Sequence, residues 1–143
     1  MRNTLIDAGP LIALFDKDDK YHKTVLNVLS HTHTALVTTW PVITETCHML
    51  DFSIDAQLDF LDWASQGGLQ IHELNGTDLE RIITLTEKYR DRPMDLADAS
   101  LIITSAKLGI KQIISIDSDF NIYRRADKKP LENILSGKNS GEA

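Results

Sequence analysis

Four short runs rich in aliphatic and β-branched residues, "NTLID", "TALVTT", "LQIHEL" and "KQIISID", are separated by longer stretches of helical periodicity. Strands spaced this way cannot close as tight hairpins. Each intervening helix has to cross the sheet, which makes successive strands parallel. The pattern therefore predicts an α/β domain with a mainly parallel central sheet, helices covering both faces. Local signals set the helices. Pro10 suits the first turn of a helix through Phe15, and a second runs from about Lys20 to Ser30. "WPVITETCHMLDF" follows with Pro41 near its start, and Ser53 can cap "IDAQLDFLDWASQ", which Gly67 and Gly68 stop. Thr77 and Glu80 stand at capping-box spacing before "RIITLTEKYR", and residues 93–109 form a last helix ending at Gly109.

At 143 residues the chain is expected to be one domain, residues 1–135, followed by a polar, Gly/Ser-rich disordered tail over 136–143. No apolar run approaches the ~20 residues of a membrane span, and the apolar opening contains an aspartate, so it does not have the form of a cleaved secretory signal. The lone Cys47 excludes an internal disulfide framework and fits a reducing cytoplasm. A net charge of −6 argues against a protein that holds nucleic acid by a generally basic surface, but not against an enzyme that meets phosphate through metal. Two local basic clusters, "YRRADKK" at 123–129 and Lys88, Arg90 and Arg92, read first as solvated surface.

The acids carry the chemistry. Asp98 sits at helical spacing from Met94, Leu101 and Ile102, on the side that should be buried, where an unpaired carboxylate costs several kcal/mol. Asp7 closes the first strand and Asp117 the last, so both belong to the crevice beyond the carboxyl ends of a parallel sheet. Glu45 lies at the margin of an apolar helix face, and Asp95 precedes Asp98 by three residues. Taken singly, each has a plainer use: Asp7 and Asp95 as helix caps, Asp117 and Asp119 as turn residues, Glu45 as a solvated edge. Taken together, converging carboxylates either take up protons or gather cations, and oxygen ligands without nearby Cys or paired His favour Mg²⁺ or Mn²⁺. Metal held this way activates water and stabilises charge on a phosphoryl group, which points to phosphodiester hydrolysis.

The ordered set "LIDAGPLIALFDKDDKYH", "TTWPVITETCHML", "RDRPMDLADASLIITSAKLG" and "IISIDSDFNIYR" closely resembles the PIN-domain ribonucleases, in particular the small stand-alone VapC-type toxins. The resemblance spans about Leu5 to Tyr123. It implies a three-layer α/β/α domain, Mg²⁺ or Mn²⁺, and endonucleolytic cleavage of RNA leaving 5′-phosphate and 3′-hydroxyl ends. By motif position it assigns Asp7, Glu45, Asp98 and Asp117 as catalytic metal ligands, with Asp95, Ser115 and Asp119 auxiliary. It further implies a cognate antitoxin protein as partner and a homodimer, for which the "VLNVLSH" and "LDFLDWA" faces are candidates. His22 and His48 read as structural, Trp40 and Trp63 as packing, and Arg92 and Arg124 as candidate phosphate contacts. Two rivals stand beside this reading. One is a haloacid dehalogenase-type phosphatase, suggested by the Asp-x-Asp of "SIDSDF", although such enzymes place that motif after the first strand. The other is a non-catalytic PIN-like RNA- or protein-binding module.

Overall fold

The computed structural model describes residues 2–92, 94–125 and 127–135. The tail expected at 136–143 lies outside the described residues. Strand β1 (Arg2–Ile6) runs directly into α1 (Ala8–Phe15), whose free amide at Ala8 is taken by the Asp7 side chain. Helix α2 (His22–Ser30) is tied back to α1 by His22 Nδ1, which donates to the Ala13 carbonyl at 2.7 Å. That is the structural role expected of His22. After β2 (Thr34–Thr38) come α3 (Trp40–Met49), with Pro41 in its first turn, and α4 (Ile54–Trp63), capped by Ser53 through the Ala56 amide. A π turn over Ala64–Gly68 ends α4. Gly68 is required there: an added Cβ would lie 2.4 Å from the Trp63 ring.

Strand β3 (Gln70–Ile71), α5 (Leu79–Lys88), α6 (Leu96–Leu108), β4 (Gln112–Ile114) and β5 (Glu132–Asn133) complete the fold. Asp95 caps α6 and Gly109, at φ 67°, ends it in the left-handed region that favours glycine. All strand pairs are parallel, in the order β3-β2-β1-β4-β5. Helix α1 packs against α2, α3 and α4, and α5 packs on α6. Right-handed crossovers deliver these two groups to opposite faces of the sheet. Successive residues Leu5 and Ile6 of β1, and Ile113 and Ile114 of β4, are all fully buried, because both faces of the central strands are covered.

Three expectations need correction. "LQIHEL" yields only the two-residue strand β3, since it is an edge strand whose sole partner, β2, stops at Thr38. The capping box before α5 is formed by Asn75 and Asp78, not Thr77 and Glu80; a 3₁₀ turn, Gly76–Asp78, precedes the helix and Asn is the stronger cap. Trp63 packs on Phe15 at 5.4 Å between centroids, but Trp40, at the start of α3, is 52% exposed and does not join the core.

Candidate functional site

In this strand order the chain reverses direction across the sheet between β1 and β4, and the crevice beyond their carboxyl ends is the place where such folds bind ligands. The sequence puts Asp7 immediately after β1 and Ser115 immediately after β4. The structure joins them: Ser115 Oγ donates to Asp7 Oδ2 at 3.2 Å, while Asp7 Oδ1 accepts the Ala8 amide at 2.8 Å. Ser115 Oγ also accepts the Asp117 amide at 3.0 Å, and Asp117 Oδ1 in turn accepts the Asp119 amide at 2.9 Å. One hydroxyl thus holds the Asp7 carboxylate and the Asp117 backbone; Asp117 does not close the last strand as expected, because β4 stops at Ile114 and Asp117 caps the 3₁₀ turn Ser118–Asn121. Asn133 of β5 fixes the hydroxyl's own backbone, donating from Nδ2 to the Ser115 carbonyl at 2.8 Å and accepting the Ser115 amide at 3.3 Å.

The helix acids come from α3 and α6. Asp98, in the first turn of α6, is only 7% exposed, as is Asp7. Tyr123, itself fully buried, points its hydroxyl at Asp98 Oδ2 across 3.4 Å. Asp95 accepts the Asp98 amide at 2.8 Å, so its capping role is real and leaves its second oxygen available. Glu45 is exposed on α3. Asp119 stands at the rim, where Arg92 pairs with it at 3.2 Å.

These acids feel one another. Burial, with Glu45 and Asp117 nearby, pushes the Asp7 carboxyl from 3.8 up to about 6, against the opposing hydrogen bonds from Ala8 and Ser115. Asp98 is raised as well, by burial first and then by Asp95, Asp7 and Asp117. Glu45 is raised by partial burial and by Asp95 and Asp117. Burial and the Asp98 charge push the Tyr123 phenol up, which keeps it a neutral donor. Among the described residues, none of Asp7, Glu45, Asp95, Asp98 or Asp117 has a Lys, Arg or His partner. Nor do three ligating side chains among them close into a cage around one point. The acids are electrostatic neighbours, and Asp7, Asp95 and Asp117 each accept a nearby backbone amide. All their donor atoms are hard oxygens, a set that suits Mg²⁺ or Mn²⁺.

Sequence reading missed two members of this arrangement. Tyr123 was visible only as the end of "DFNIYR", and its partner Asp98 lies 25 residues earlier. Asn133 carries no local signal, because its contact with Ser115 depends on a two-residue strand.

A covered parallel sheet with carboxylates gathered at its switch-point crevice defines an acidic-site α/β protein. The PIN domain family model matches residues 4–126, and the chain belongs to that family. It is 24% identical over 115 residues to Ribonuclease VapC26 of Mycobacterium tuberculosis, an alignment covering 79% of this chain and 85% of that protein. Its fold is similar to the crystal structure of Mycobacterium tuberculosis VapC20, a Sarcin-Ricin loop cleaving toxin. The TM-score is 0.76 at 17% identity, over 83% of this chain and 93% of that one. The expected α/β/α architecture with a parallel sheet is therefore borne out.

Proposed function

We propose that this PIN-domain protein is an endoribonuclease acting with Mg²⁺ or Mn²⁺, and that it is the toxin of a toxin–antitoxin pair working in the cytoplasm. The observation that carries the reading is the group of acids at the β1/β4 crevice that have no basic partner among the described residues, two of them, Asp7 and Asp98, buried. Structural acids in that number would be matched by basic side chains. Similarity to the ribonuclease VapC26 supports the class of reaction, and the fold shared with VapC20 agrees with it.

Asp7, Asp98 and Asp117 are the residues that would hold the metal, with Glu45 joining directly or through water. A divalent ion there supplies a lowered water pKa and stabilises charge on the phosphoryl oxygens. The chain's own residues do the positioning. Ser115 orients Asp7 and the Asp117 backbone, Asp95 holds the start of α6, and Tyr123 keeps one Asp98 oxygen engaged. Asp119, engaged by Arg92, acts at the rim.

For partners, an antitoxin would meet the crevice with a basic side chain, since that offsets the repulsion between its acids. A second copy of the chain would cover exposed apolar side chains. Leu26 on α2 and Leu58 and Leu61 on α4 are exposed, as that expectation requires, and so are Trp40, Leu79 and Leu96 around one apolar cavity.

The test is cleavage of total RNA by the wild-type protein and by Asp98→Asn, each in Mn²⁺, Mg²⁺ and EDTA. Discrete cuts that need metal and fall at least about hundredfold in a folded variant are expected, because even outer partners of metal ligands matter 10–100-fold. Equal cutting by both proteins, or cutting in EDTA, would sink the assignment of Asp98.

A further inference from the structure

The chain has a net charge of −6, yet five of its 15 Lys and Arg residues line one groove: Arg81 and Lys88 from α5, and Arg124, Arg125 and Lys128 from the loop after Tyr123. Glu80 is the one acid among the described lining residues of this cavity of about 490 Å³. Lys88, from one cluster that reads as solvated surface, and Arg124, Arg125 and Lys128, from the other, are thus gathered with Arg81 into a single positive channel. Like charges brought together repel, and among the described residues Arg125 alone of the five has an ion-pair partner, while Asp78 is near Arg81. Arg125 pairs with Asp127 at 3.0 Å through Nη2, but its Nε is buried with no acceptor among the described residues.

The groove shares helix α6 with Asp98, although none of the crevice acids lines it. Its floor includes Ile102 and Ala106, one and two turns after Asp98 on α6, so it extends about 12 Å from that acid. At its head the Arg124 amide donates to the Tyr89 hydroxyl at 3.0 Å. Tyr89 packs edge-on against Tyr123 at 4.9 Å, and Tyr123 reaches Asp98. We infer that this groove carries the phosphate backbone of single-stranded RNA on its way to or from the acidic crevice. The division of labour is electrostatic: cations here hold the strand, while the acids next door meet phosphate only through metal. The inference rests on the ribonuclease reading.

The experiment is binding of a short fluorescein-labelled single-stranded RNA of mixed sequence, in EDTA so that cleavage does not intervene, across a salt series. Arg81→Gln with Lys88→Gln removes two groove charges from the exposed face of α5. Lys17→Gln with Lys23→Gln removes the same charge from exposed positions around the start of α2, on the other face of the sheet, and circular dichroism checks both folds. The groove pair is expected to flatten the slope of log K against log salt by about 1.4 and to weaken binding about 25-fold in 0.1 M salt. The control pair is expected to leave the slope in place. Equal weakening by both pairs would reduce the effect to overall charge, and no weakening by the groove pair would put the strand elsewhere. Either result overturns the groove while metal-dependent RNA cleavage by the wild type leaves the ribonuclease reading standing. A wild type that neither binds nor cuts RNA overturns both. Polyglutamate binding as tightly as RNA, and lost in the same groove pair, would assign the groove to an acidic protein instead.

Discussion

Asp98 and Asp7 are each 7% exposed and each raised by burial, and the two effects have one sign for stability. Below the ordinary aspartate pKa both folded and unfolded chains hold the proton and there is no penalty. As pH rises, the unfolded chain gives the proton up first, so stability falls until the folded carboxyl also ionises. For Asp7 the interval runs from 3.8 to about 6 and corresponds to about 3 kcal/mol; Asp98 extends it upward. Thermal unfolding of the metal-free protein is therefore expected to show a midpoint that drops between pH 4 and 7. Mn²⁺ should restore it, and Asp98→Asn in EDTA should confine the drop to the Asp7 interval. A pH-independent midpoint in the wild type would contradict the burial argument. The sequence made these acids legible because each breaks a local rule: Asp7 ends an apolar run, and Asp98 interrupts an apolar helix face. It did not make Tyr123 legible, since an aromatic beside an acid is unremarkable until the fold brings them together.

At the scale of elements, the long periodic segments were readable and the short ones were not. Helix α6 carries its cap, apolar body and terminal glycine within one stretch, whereas β5 has two residues and no pattern of its own. What β5 contributes is Asn133, whose amide makes two hydrogen bonds to Ser115 and whose Oδ1 also accepts the Leu135 amide. Asn133→Ala is expected to cost about 1–3 kcal/mol, the penalty of leaving buried backbone groups unmatched. It should lower cleavage as well by loosening Ser115 from Asp7; denaturant melts and cleavage rates measured together test whether the two losses travel together. At the π turn, Gly68→Ala forces a methyl into Trp63 and is expected to destabilise by about 1–3 kcal/mol in the same melts.

For the whole molecule, the sequence conveyed the layer architecture and parallel sense but not the strand order, because order is decided by which apolar faces cover which, a property of no single segment. Central β1 pairs with β2 on one side and with β4 on the other, Leu5 lying opposite Ile113. A chain ending before β4 would leave Leu5 and Ile6 without that neighbour, and residues 1–110 are expected to give no cooperative thermal transition by circular dichroism. The same topology has a consequence in time. Asp7 and the hydroxyl that orients it are 108 residues apart. At the usual pace of translation, a ribosome works for roughly 5–20 s between the two. Throughout that interval the nascent chain holds one half of its acidic crevice without the other, so the site stays unassembled while the chain is being made. The crevice is complete only once the last strands have emerged, so whatever chemistry it performs begins after synthesis and not during it.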